Sequence, residues 1–128
     1  MNHKRRGVAI IFNHMNFDPA THNTPRHGTN ADRDRLKKTL SSLRFNVKVY
    51  EDSTTAEINK ILKKCSEEDH KDADCIFVAT FSHGGNGVIS SKDGIYKTET
   101  LWFHFDAKRC PSLAGKPKVF FIQACQVC

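Results

Sequence analysis

The chain has 128 residues, 38% of them apolar and 27% charged, with a formal net charge of +6 and five cysteines. This is one domain's length, enough for a sizeable core. No apolar run approaches the ~20 residues of a membrane span, and Met1-Asn-His-Lys-Arg-Arg lacks a secretory leader pattern. An odd number of cysteines without framework spacing argues for a reducing compartment, so a cytoplasmic chain with no membrane partner is expected. The basic residues are spread along the sequence and are not interleaved with aromatics, so no nucleic-acid partner is expected. The apolar fraction is slightly lean for a sheet buried on both faces, which a missing partner subunit would explain.

Gly7-Val-Ala-Ile-Ile-Phe12 reads as a first buried strand, followed by a polar loop to Pro25-Arg26-His27-Gly28. Thr29 and Asp32 form a Thr-x-x-Asp capping pattern, and Leu36, Leu40 and Leu43 at helical spacing predict a helix over 30–43. Phe45-Asn-Val-Lys-Val-Tyr50 alternates apolar and polar, as a half-covered strand near an edge does. A capping box at Thr54 and Glu57 precedes Ile58, Ile61, Leu62 and Cys65, which predicts a second amphipathic helix. Residues 67–74 read as a solvated loop and 75–81 as a third strand. Asn86-Gly87 and Asp93-Gly94 flank Val88 to Lys92, predicting a small antiparallel hairpin standing off the main sheet. Residues 98–105 read as a short helix, 110–117 as a turn-rich connector, and 118–125 as a final buried strand.

The order predicts an α/β fold, a mainly parallel sheet with flanking helices, in one domain spanning residues 1–128. The last strand has nothing after it to cover it, so an exposed strand edge is expected.

Both central apolar runs end in a reactive side chain: Phe77-Val-Ala-Thr-Phe-Ser-His83-Gly84 and Lys118-Val-Phe-Phe-Ile-Gln-Ala-Cys125. Ligand crevices of open α/β sheets lie at the carboxyl ends of strands. There a thiol and an imidazole about 40 residues apart in sequence can meet as a nucleophile–histidine dyad. The competing readings are a buried inert thiol for Cys125, just beyond its strand, and a satisfied loop histidine for His83. Gly84-Gly85 allows close backbone approach to a ligand. Arg26, in the loop after strand one, reaches the same rim, either solvated or holding a carboxylate in a bidentate pair. Cys125-Gln-Val-Cys128 lacks the following helix that a redox motif needs. The histidines and cysteines lack zinc-ligand spacing, so no metal or other cofactor is expected.

Gln123-Ala-Cys125-Gln, with His83-Gly84 upstream, resembles the caspase signature Gln-Ala-Cys-(Arg/Gln/Gly)-Gly. The run from His3 to Asn13 resembles the lead into that family's first strand. Arg26-His-Gly-Thr resembles its Arg-Ser-Gly-Thr loop, and Cys110-Pro-Ser-Leu-Ala-Gly-Lys-Pro-Lys118 is similar to the connector of executioner-type members. The likeness covers essentially the whole chain and corresponds to the large catalytic subunit only.

The resemblance implies a caspase-like (caspase-hemoglobinase) fold, incomplete without the small subunit, and a cysteine endopeptidase of apoptosis cutting after aspartate. Cys125 would attack the scissile carbonyl and His83 would protonate the leaving amine. The backbone N–H groups of Gly84 and Cys125 would form the oxyanion hole, and Arg26 and Gln123 would line the pocket for the substrate aspartate. The implied partners are a caspase small subunit, which brings a second arginine to that pocket, protein substrates with an aspartate before the cut, and caspase inhibitors. The assembly implied is a homodimer of large-plus-small units. Val127 stands where the signature has glycine, and the sequence ends at Cys128, so the chain by itself is expected to be inactive. The alternative is a catalytically inert interaction protein, a decoy that captures small subunits, caspases or inhibitors along its open strand edge.

Overall fold

The computed structural model describes residues 3–126, with side chains to Cys125. The strands are β1 (Val8–Asn13), β2 (Asn46–Glu51), β3 (Ile76–Gly85), β4 (Val88–Ser90), β5 (Ile95–Lys97) and β6 (Lys118–Gln126); the helices are α1 (Thr29–Ser42) and α2 (Thr55–Ser66). All six strands join one sheet: β2-β1-β3-β4-β5 in order, with β6 on the other side of β3. The β1–β2, β1–β3 and β3–β6 pairs are parallel, and the β4–β5 hairpin is antiparallel.

Alternation along the strands sorts the core into two layers. Val8, Ile10, Phe12, Ile76 and Val78 pack with Ile58, Leu62 and Cys65 of α2 on one face. Ala9, Ile11, Ala79 and Phe81 pack with Leu40 and Leu36 of α1 on the other. This parity fixes the position of the reactive residues. His83 follows Phe81 by two and therefore lies on the α1 face, where the β3–β6 register sets Cys125 directly beside it.

Several expectations shift in detail. Thr54 and Glu57 do form the capping box of α2, but α1 is capped by Gly28 without a side-chain bond. Thr29 is the first residue of α1, and its hydroxyl is drawn into a buried network instead. The hairpin does not stand off the sheet: Gly84 and Gly85 at the end of β3 pair with Ile89 and Val88. Residues 98–105 form two 3-10 turns, Thr98–Leu101 and Phe103–Phe105, too short for a full helix. Within the acidic loop, His70 and Asp74 are buried and bonded, with the His70 ring held by the Cys65 carbonyl and Asp74 by His3 and Arg6. The final edge is open as expected, with Val119, Phe121 and Ile122 of β6 exposed.

Gly7 admits no substitute. Its φ is +134°, and an added Cβ would lie 1.8 Å from the carbonyl oxygen of Cys75, a backbone atom that cannot swing away. Gly7→Ala is expected to destabilise the chain by about 2–4 kcal/mol, read as a lower midpoint in denaturant melts. A midpoint within error of the parent would contradict the close approach of the β1 and β3 lead-ins.

Candidate active site

The loop between β1 and α1 builds one wall of the site. The carboxyl end of β1 supplies Asn13, whose side-chain oxygen accepts a 2.7 Å hydrogen bond from the Thr29 hydroxyl. That hydroxyl in turn accepts from Arg26 Nη1 at 2.8 Å, and the same Nη1 donates to the His14 carbonyl at 3.0 Å. Arg26 is only 8% exposed. The guanidinium is therefore not a solvated loop group, and among the described residues no carboxylate is paired with it, which is costly for a buried cation. Thr29 therefore serves this network and leaves the cap to Gly28, whose φ of +91° turns the loop into α1.

His14 is fully buried beneath this loop. Its Nε2 donates to the Ser53 carbonyl at 3.1 Å, while Nδ1 is buried without a hydrogen-bond partner. Burial holds its pKa below the usual 6.5, against the opposing pull of the Ser53 carbonyl and the Asp52 carboxylate. The unfolded chain then binds a proton that the folded chain refuses, so stability should fall as the pH drops below 6.5 toward the depressed folded value. In urea melts taken across that window, His14→Gln is expected to flatten this part of the pH slope, and an unchanged slope would remove His14 as its source.

His83 is oriented by the same loop. Its Nε2 lies 2.8 Å from the Thr24 carbonyl, an atom that can only accept, so the proton sits on Nε2 and Nδ1 carries the lone pair. That Nδ1 is buried with no protein partner. The Phe17 ring packs 5.2 Å from the imidazole and 6.1 Å from His14, bracing His83 from the loop side. Sequence reasoning missed Thr24 and Phe17. A carbonyl carries no residue signature, and a lone aromatic in a polar loop reads as incidental.

Cys125 lies within β6, not beyond its end, and is exposed. Cys65, Cys75 and Cys110 are buried; burial pushes the Cys65 thiol up to about 12 and also raises Cys75, so neither is a ready nucleophile. Arg26, Gln123, His83 and Cys125 line one cleft of about 500 Å³, joined there by His27 and Asp32. No hydrogen bond links Cys125 to His83 among the described residues. Gly84 faces the other way: a Cβ there would meet that of Ala124 at 2.7 Å and the Val88 carbonyl at 3.0 Å, so the glycine lets β4 and β6 close on β3. Val127 and Cys128, on which the departure from the signature and the C-x-x-C reading fall, lie outside the described residues.

A cavity of about 470 Å³ between α2 and β2 contains neither His83 nor Cys125. The chemistry-bearing residues thus converge on the α1 face alone.

Comparison with known proteins bears on the family and the fold. Residues 6–127 match the model of the Caspase domain. The chain is 52% identical over 126 residues to Caspase-1 of Spodoptera frugiperda and 51% identical to Caspase-1 of Drosophila melanogaster, covering 98% of itself but 42% and 39% of those proteins. It superposes on the crystal structure of Caspase-1 from Spodoptera frugiperda with a TM-score of 0.95, covering 97% of this chain and 50% of that one. The structure of pro-sf-caspase-1 gives a TM-score of 0.96 at 51% identity, with 54% of that chain covered. The chain spans about two-fifths of the length of these curated relatives, and it belongs to the caspase family.

Proposed function

We propose that this chain is the large-subunit portion of a cysteine endopeptidase that cuts after aspartate, completed by a caspase small subunit. The observation that carries the proposal is the β3–β6 register, which sets His83 beside Cys125 at the mouth of a cleft floored by a buried arginine. Cys125 Sγ attacks the scissile carbonyl while His83 Nδ1, its lone pair free because Nε2–H is bonded to Thr24, takes the thiol proton. The imidazolium returns that proton to the leaving amine, and water then hydrolyses the thioester. Backbone N–H groups of Gly84 and Cys125 stabilise the oxyanion, at about 3 kcal/mol each. Arg26 and Gln123 receive the aspartate carboxylate.

The open side of β6, with Val119, Phe121 and Ile122 exposed, is the surface on which the small subunit docks. Pairs of such units form a dimer that cleaves protein substrates in the cytoplasm during apoptosis. Co-expression with a small subunit and assay on an aspartate-ending peptide tests the reading. Turnover by the complex and none by the isolated chain is expected; no turnover by a soluble, stoichiometric complex would overturn it. The same exposed edge supports a second reading, capture of small subunits or caspase inhibitors without catalysis, in which the complex forms but never turns over.

A further inference from the structure

The hydrogen bonds that hold the buried arginine begin at the carboxyl ends of β1 and β2, and they run in one direction. Asn13 and Glu51 are register partners on these parallel strands, so their side chains lie together. Glu51 Oε2 accepts from Asn13 Nδ2 at 2.8 Å, and the other Glu51 oxygen accepts from Arg33 Nη1 at 2.6 Å. A carboxylate only accepts, so it fixes which end of the Asn13 amide is the nitrogen. Asn30 Oδ1 also accepts from Nδ2, at 2.9 Å, but an amide can turn over and present its own nitrogen, which a carboxylate cannot. Asn13 Oδ1 must then face Thr29, and it accepts the threonine O–H at 2.7 Å. With its single hydrogen spent, Thr29 Oγ1 has only lone pairs left for Arg26 Nη1, which donates to it at 2.8 Å. The His14 carbonyl takes the second hydrogen of Nη1, leaving Nε and Nη2 for a ligand carboxylate.

Glu51 does not line the cleft that holds Arg26, Gln123, His83 and Cys125, and its side chain is 44% exposed. Asn13, between the two, is fully buried. Without the Glu51 acceptor the Asn13 amide can turn over. Its Nδ2 and Arg26 Nη1 would then both donate to Thr29 Oγ1, and the buried Thr29 hydrogen would lose its acceptor. We propose that Glu51 is a positioning residue for substrate recognition: acting through Asn13 and Thr29, it sets the Arg26 guanidinium in the orientation that receives the aspartate carboxylate. Removing Glu51 would by charge alone favour an incoming anion, so weaker binding of an aspartate after its removal identifies the hydrogen-bond relay.

This inference rests on the proposed endopeptidase activity, and its test separates the two. The chain co-expressed with a caspase small subunit is compared with Glu51→Lys, Glu51→Ala, Glu51→Gln and the double variant Asn13→Asp with Glu51→Lys. Each is assayed on a peptide ending in aspartate and on its asparagine counterpart. Glu51→Lys presents a donor where the acceptor stood and is expected to raise KM for the aspartyl peptide about fivefold, the scale of one hydrogen bond, with kcat and the asparagine reaction little changed. Glu51→Ala is expected to raise it about threefold, and carries the test if the lysine variant does not assemble. Glu51→Gln, which can still turn an oxygen to Asn13, should stay within about twofold of the parent. The double variant should recover most of the loss, because an aspartate can accept from both the lysine and Thr29. If the parent complex cleaves the aspartyl peptide and its KM is unchanged or lower in Glu51→Lys and Glu51→Ala, or both peptides suffer equally, the inference fails while the endopeptidase reading stands. If the parent complex does not turn over, both fall.

Discussion

Replacing Cys125 with alanine in the complex with a small subunit is expected to lower kcat by about 10⁵-fold or more, with the affinity for an aspartyl aldehyde's non-covalent contacts retained. The size follows from the absence of any substitute. Cys65, Cys75 and Cys110 are buried, and burial raises the first two away from the thiolate form, while Cys125 is exposed and shares a cleft with His83, whose Nδ1 has no protein partner among the described residues. No other thiol lines the cleft among the described residues, and the Thr29 hydroxyl is buried in the Asn13–Arg26 network. Binding to the small subunit should survive the substitution, since the exposed edge residues Val119, Phe121 and Ile122 are untouched. Peptide turnover that persists in Cys125→Ala would remove the thiol mechanism, and a parent complex without turnover would leave the capture reading in its place.

Most of the site was legible because it is carried by strand endings. Two unbroken apolar runs, each closing on a reactive side chain, fit strands of a parallel sheet, and parallel pairing keeps register partners on one face. That pattern made His83 and Cys125 candidates beside the inert-thiol and loop-histidine readings, the resemblance supplied the roles proposed for them, and the register places the two side by side. The fold was readable for the same reason: Ile10, Ile11, Val78 and Ala79 are buried on alternating faces, and α2 carries its capping box in four residues. Side-chain contacts made by the loops, away from the strand pairing, were not legible. Thr29 looked like a cap and is instead the hinge of a network running from Asn13 to Arg26, because a buried guanidinium has a stronger demand on a hydroxyl than an N-terminal turn that Gly28 can already begin. The hairpin joined the sheet because β3 runs on to Gly85, two glycines past the residue that ends its apolar run, and gives β4 an edge to pair with.

Arg26→Ala should reduce kcat/KM for an aspartate-ending peptide by about 10³-fold, the scale of losing one partner of a desolvated charge pair. At 8% exposure the guanidinium is largely shielded from solvent, so a carboxylate paired with it would be worth more than a surface ion pair. Arg26→Lys keeps the charge but cannot both donate to His14 and Thr29 and present a second edge to the carboxylate, so it should recover only about tenfold. Part of the loss in Arg26→Ala will be structural, since the His14 carbonyl and Thr29 hydroxyl lose their donor. The asparagine counterpart of the peptide separates the two effects: without a carboxylate to hold, it should be cleaved by parent and variant at rates within about fivefold of one another, allowing for the loop's loss of about 1 kcal/mol of support. An equal fall for both peptides would mean that Arg26 only props the loop, and the aspartate pocket would have to be sought elsewhere in the assembly.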